Sequence, residues 1–327
     1  MTSIAKRAPD WKDQIIHGDC LAILREMPSN CVDLVVTSPP YADSRKKTYG
    51  GVPPDKYLEW FLPIADQFQR VLKPTGSFVL NIKEKTVRGE RHPYVLELIQ
   101  ALRGRGWLWI EEYIWHKKNC FPGKWPTRFR DAWERCLHFT KSRRFAMYQE
   151  AVMIPMGEWR HARLRSLSTT DKRRDESKVA SGFGKKVENW VGRGLAYPTN
   201  VLHLATECGN RKHSAAFPAA LPDWFIRLFT TAGDVVLDPF IGSGTTAVAA
   251  ARLGRRFIGV EIKLEHAELA QSGVSEAVDL FTPSVVRSNL EVLQGCKPVK
   301  SVSLTRRTTY GVCVNRTAYA KQTKTHP

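Results

Sequence analysis

Two short apolar runs, about two hundred residues apart, constrain this chain more than anything else in it. Val32-Asp33-Leu34-Val35-Val36 closes on Thr37-Ser38-Pro39-Pro40-Tyr41, and Val235-Val236-Leu237 closes on Asp238-Pro239-Phe240-Ile241-Gly242-Ser243-Gly244-Thr245-Thr246. Each pattern is that of a buried strand that delivers a specialised loop at its end. Two prolines stiffen the first loop and an aromatic ring ends it. Glycines in the second allow a tight turn and close approach of backbone to a nucleotide-like ligand.

Around these runs, apolar segments alternate with helical periodicity, which predicts an α/β fold with a doubly wound, mostly parallel sheet. Seven strands are expected, at residues 14–17, 32–37, 77–82, 107–116, 135–140, 234–238 and 256–261. Helices are expected at 56–72, 223–229 and 245–253, the first of them stopped by Lys73-Pro74-Thr75-Gly76. Four blocks follow: 11–140, 141–200, 201–281 and 282–327. Between Lys141 and Asn200 the periodicity dissolves, and thirteen Lys and Arg face six Asp and Glu. After Glu291 there is no acidic residue, and the basic tail is expected to be disordered.

A formal net charge of +18 points to a polyanionic partner, with nucleic acid as the default. The seven cysteines are odd in number and lack CxxC spacing, so neither a zinc site nor a disulfide frame is expected, and no metal is assigned. The first ten residues carry no apolar core of a signal peptide, and no stretch is apolar enough to span a bilayer. A cytoplasmic, DNA-associated protein without a membrane partner is the expectation; oligomeric state is open.

The first loop suits a difficult substitution. An exocyclic amine on a nucleobase is a poor nucleophile because its lone pair is delocalised into the ring. Acceptors at the Ser38 hydroxyl and the Pro39 carbonyl would hold the amine hydrogens and turn the lone pair outward. Pro39 and Pro40 keep those acceptors aimed, and Tyr41 offers a face on which an extruded base could stack. On the other loop, Gly242-Ser243-Gly244-Thr245-Thr246-Ala247 satisfies a loose dinucleotide pattern, with Glu261 at the end of the next strand placed to grip ribose hydroxyls. Taken alone, that pattern leaves NAD and S-adenosylmethionine both open.

Together the two loops resemble those of the amino-methylating DNA methyltransferases of bacterial restriction-modification systems, in the permuted (beta-type) order with the catalytic loop first. The resemblance implies S-adenosyl-L-methionine as cofactor and double-stranded DNA as partner. It implies catalytic roles for Ser38, Pro39, Pro40 and Tyr41, and cofactor contacts at Asp238, Pro239, Phe240, Gly242, Gly244, Thr245 and Glu261. His17-Gly18-Asp19-Cys20 is similar to the family's acidic turn near the adenine, and His213 to Leu221 to its segment before the glycine loop, which adds Asp19 and Phe217. Residues 11–140 and 201–281 then become the catalytic and cofactor halves, and 141–200 a target-recognition region. Serine in the Ser-Pro-Pro-Tyr string implies the cytosine-N4 branch, and a cognate endonuclease acting on the same site is a candidate partner.

Rivals are adenine-N6 methylation, an RNA-base methyltransferase, and a DNA-binding protein that keeps the fold without turnover. Cytosine-C5 chemistry is disfavoured because none of the seven cysteines follows a proline. Trp107, Trp109, Trp115, Trp125 and Trp133 are candidates for the core, with Trp125 also a candidate to face DNA.

Overall fold

The computed structural model describes residues 11–44, 49–120, 123, 126–157, 168–169, 193–206 and 217–281. Trp125, Trp159, Trp190, His213, most of the 141–200 block and the tail from 282 onward lie outside the described residues.

Among them, the strands are β1 (Gln14–His17), β2 (Val32–Thr37), β3 (Leu72–Ile82), the short hairpin pair β4 (Thr86–Val87) and β5 (Glu90–Arg91), β6 (Leu108–Lys117) and β7 (Trp133–Thr140). A second short pair, β8 (Ile154–Pro155) and β9 (Leu195–Ala196), precedes β10 (Val201–Leu204), β11 (Val235–Asp238) and β12 (Arg256–Glu261). The helices are α1 (Cys20–Glu26), α2 (Tyr57–Val71), α3 (Tyr94–Gly104), α4 (Ala220–Phe229), α5 (Thr245–Arg252) and α6 (Leu264–Phe281).

One sheet carries the fold, in the order β1-β12-β11-β2-β3-β7-β6-β10. Among the described residues it has eight strands, not the expected seven. The added strand is β10, which pairs in parallel with β6 and therefore extends the edge remote from β11 and β12. Strand β7 runs antiparallel to both its neighbours, while the other five pairings are parallel. Seven strands thus point one way and β7 alone is reversed. The chain leaves β11 toward β12 and leaves β2 toward β3, in opposite directions. The boundary between β2 and β11 is therefore the topological switch point, where open α/β sheets hold their ligands.

Strand side chains alternate between two cores because successive Cβ atoms point to opposite sheet faces. Val35, Val235, Leu237, Ile258 and Val260 join one cluster with α1, α2 and α3. Leu34, Val36, Val236 and Phe257 join the other, with α4 and α5. Helix α2 buries Tyr57, Phe61 and Phe68 completely, each contributing about 1.5–3 kcal/mol relative to exposure. Leu72 follows α2 directly in extended conformation, and the register slips between Val32/Leu72 and Leu34/Ser77, so Lys73–Gly76 form an irregular entry into β3 instead of a separate turn.

Past residue 141 the chain still packs on the sheet. Phe145 and Val152 pack into the α4 core, and Tyr148 N–H donates to Leu228 O. Of the tryptophans, Trp107 and Trp115 are buried, whereas Trp109 is 40% exposed and leaves the core, because a register irregularity interrupts β6 beside it. No helix among the described residues is long and apolar enough to cross a membrane.

Candidate active site

With seven strands parallel and β7 reversed, the ends of β1, β2, β3, β6, β10, β11 and β12 and the beginning of β7 lie along one edge. A cavity of about 530 Å³ opens there, and every strand of the sheet reaches it. Gly18 and Asp19 follow β1, Ser38 to Tyr41 follow β2, and Asn81 lies next to the last residue of β3. Glu134 is the second residue of β7, Trp115 and Lys117 lie at the end of β6, and Thr206 follows β10. Pro239 to Ser243 follow β11, and Val260 and Glu261 end β12. The volume suits a ligand of drug or nucleotide size, for which pockets span about 300–1,000 Å³.

The two loops are joined directly. Leu34 and Val35 pair with Val236 and Leu237, and the Thr37 hydroxyl donates to Asp238 Oδ1 at 2.5 Å. Asp238 also accepts from the Thr246 hydroxyl at 2.6 Å and from Phe240 N–H at 3.1 Å. It is 1% exposed and does not line the cavity. Its burial, opposed by those three donors, raises its pKa to about 6. Asp238, held by three donors of its own protein, is a latch that ties both loops together.

Gly244 sits at a close helix contact. Its φ is +91°, and a Cβ there would stand 2.8 Å from Ala270 Cα on α6. It lets α5 and α6 pack closely and does not line the cavity. Gly242, at φ +53°, does line it, and its N–H donates to Glu261 Oε2 at 2.9 Å. Glu261 Oε1 accepts from Lys263 N–H at 3.0 Å, so this buried carboxylate braces the glycine turn while facing the cavity. Asp19 is the N-cap of α1, with Oδ1 accepting from Ala22 N–H at 2.9 Å, and it also lines the cavity. Phe217, Pro239, Phe240 and Thr245 complete that wall.

On the other wall, Tyr57 donates its hydroxyl to Pro40 O at 3.1 Å, tying the proline loop to the first turn of α2. The Tyr41 hydroxyl donates to Glu134 Oε2 at 2.6 Å, lies 3.0 Å from Asn81 Oδ1, and accepts from the Ser38 hydroxyl at 3.2 Å. Lys117 Nζ donates to Glu134 Oε1 at 2.5 Å and lies 5.0 Å from the Trp115 ring centroid. Burial, with the Glu134 carboxylate beside it, holds the Tyr41 phenol well above the ordinary tyrosine pKa. Cys20 also lines the cavity, but burial pushes its thiol up to about 12. It is no thiolate nucleophile at neutral pH.

Asn81, Lys117, Glu134, Trp115 and Thr206 were not singled out as site residues from sequence. Each is an isolated polar or aromatic residue at a strand end, and only cross-strand register, such as Trp115 opposite Glu134 and Asn81 opposite Cys136, brings them to the cavity.

The chain is similar to known proteins. The DNA methylase family model matches residues 32–272. Type II methyltransferase M.PvuII of Proteus hauseri is 31% identical over 273 residues, covering 76% of this chain and 80% of that protein. Among solved structures, the cytosine-N4-specific PvuII DNA methyltransferase superposes with a TM-score of 0.58 at 25% identity, covering 82% of this chain and 91% of its own. The Thermus thermophilus protein TTHA0409, complexed with S-adenosyl-L-methionine, gives 0.54 at 27% identity, covering 81% of this chain and 94% of its own.

Proposed function

We propose, since this chain belongs to the N6/N4 DNA methylase family, that its cleft methylates the exocyclic N4 of cytosine in duplex DNA. Membership makes it an S-adenosylmethionine-dependent DNA methyltransferase of the restriction-modification type. The observation that carries the site assignment is the joining of Ser38–Tyr41 and Pro239–Gly242 at adjacent strand ends around one cavity.

The residues present fit the cofactor. The cavity combines two carboxylates, Asp19 and Glu261, suited to amino and hydroxyl groups, with aromatic walls at Phe217 and Phe240 and a glycine turn at Gly242. Pro239 and Thr245 complete the set that would hold it. When bound, it supplies a methyl group activated by a sulfonium.

The protein's contribution is to position the base. Ser38 Oγ and the Pro39 carbonyl accept from the amine hydrogens and favour a pyramidal nitrogen. Pro40, fixed by Tyr57, keeps that loop rigid, and the Tyr41 ring offers the extruded base a wall. The proton lost after methylation passes to water, so no strong base is required. Serine at position 38 and the cytosine-N4-specific relative favour cytosine over adenine.

Three further assignments belong to the same reading. Residues 11–140 and 201–281 act as catalytic and cofactor halves, the 141–200 block, with its basic surplus, supplies target recognition, and a cognate endonuclease cuts the same sequence when it is unmethylated. The decisive experiment incubates the protein with duplex DNA and labelled S-adenosylmethionine, then digests the DNA for nucleoside mass spectrometry. N4-methylcytosine is expected; N6-methyladenine alone would reverse the base assignment, and no product from folded protein would defeat the enzyme assignment.

A further inference from the structure

We propose that Glu134, paired with Lys117, is a positioning residue that sets the direction of the hydroxyl chain Ser38–Tyr41 and so presents the Ser38 oxygen to the substrate amine as an acceptor. The inference rests on the methyltransferase reading above. It uses a residue to which that reading gives no role.

Direction follows from hydrogen-bond inventory. A carboxylate can only accept, and the Lys117 ammonium 2.5 Å away can only donate to it. Tyr41, 2.6 Å from Glu134, must therefore donate its single proton there. Asn81 Oδ1, at 3.0 Å, is the longer and uncharged alternative, and Asn81 Nδ2 is engaged with Arg135 O at 3.1 Å. With its proton committed, the Tyr41 oxygen offers only lone pairs to Ser38, so the Ser38 proton points at Tyr41 across 3.2 Å. Ser38 lines the cavity, which leaves its remaining lone pairs available to a bound group there. An amine hydrogen entering that cavity meets an acceptor and not a competing O–H. Without Glu134, either hydroxyl can rotate and the Ser38 proton can point at the amine.

Burial supports the same direction. Glu134 is buried and the Lys117 side chain is mostly covered, so the pair is weakly screened. Trp115 covers the ammonium on one side. The pair sits on β6 and β7, strands outside both sequence motifs, which is why no local pattern marks it.

The test uses the full-length protein, a methylatable duplex and three variants. Glu134→Gln is isosteric but can donate as well as accept; Tyr41→Phe keeps the ring and removes the hydroxyl; the third combines both. Loss of one charge-assisted hydrogen bond predicts a kcat lowered about ten- to a hundred-fold in each single variant, with S-adenosylmethionine affinity unchanged. Because both act through one chain, the double variant should be no slower than Tyr41→Phe alone. Losses that multiply, or full kcat in folded Glu134→Gln, would overturn the relay. NMR of tyrosine labelled at Cζ gives a readout independent of turnover: the Tyr41 resonance should shift in Glu134→Gln, and an unmoved resonance overturns the relay. If wild-type protein transfers no methyl group at all, the function is what fails, and the Cζ shift alone decides the relay.

Discussion

Replacing Asp238 by Asn should change how stability depends on pH in a calculable way. In the native latch, Oδ1 accepts from Thr37 and Phe240 and Oδ2 accepts from Thr246. Asparagine can keep Oδ1 in place and turn its amide toward the Thr246 oxygen, because a threonine hydroxyl can accept as well as donate. The variant should therefore fold. Burial raises the Asp238 pKa from 3.8 to about 6, so the folded state binds a proton that the unfolded chain releases. Ionisation accordingly costs stability as pH rises from about 4 through 6, a shift of roughly two pKa units that amounts to about 3 kcal/mol in full. About 2 kcal/mol of it should be recovered on going from pH 7 to pH 4.5. Urea denaturation of both proteins at the two pH values measures this, since contributions common to both cancel in the difference. The wild type should gain on Asp238→Asn by that amount at the lower pH. A difference that stays flat, or one that grows with rising pH, would refute the buried, raised carboxylate.

Three further outcomes are expected. Gly244→Ala combines positive-φ strain with a contact of 2.8 Å against Ala270 and should cost about 2–5 kcal/mol, read as a lowered urea midpoint with weakened cofactor binding; unchanged stability would contradict the close packing. Burial lowers the His138 pKa from 6.5 to about 3, so the unfolded state takes up a proton first, and this residue should cost about 1 kcal/mol of stability between pH 7 and 5.5. The loss should vanish in His138→Asn, and an equal slope in both proteins would sink the idea. Ser38→Ala and Tyr41→Ala should each lower methyl transfer by about a hundred-fold while cofactor affinity, measured by calorimetry, changes little; equal losses in binding and turnover would assign these residues to the cofactor instead.

Much of the sheet was legible because its central strands are short apolar runs with sharp ends. The strands at 14–17, 32–37 and 256–261 fall where periodicity and turn residues put them. β10 escaped because Val201-Leu202-His203-Leu204 buries only Leu202 deeply, and pairing with β6, not its own pattern, makes it a strand. Helix α1 escaped because seven residues give too little periodicity, although Asp19 before it carries the acceptor typical of an N-cap. The same ambiguity shaped the site. Asp238 and Gly244 stand inside the motif, yet the latch and the close helix contact they make carry no local signal. Glu134, Lys117 and Asn81 reach the cavity through the antiparallel insertion of β7 between β3 and β6, a tertiary fact without a local signal.

The most direct test is a crystal structure of the protein with S-adenosylhomocysteine and a duplex bearing its target base. The sulfur should lie in the cleft between Pro239–Gly242 and Ser38–Tyr41, with the adenosyl group near Asp19, Phe217 and Glu261 and the extruded base against Tyr41. A cofactor bound away from the Ser38 loop, or a base that stays stacked in the duplex beside an occupied cofactor site, would contradict the shared cleft.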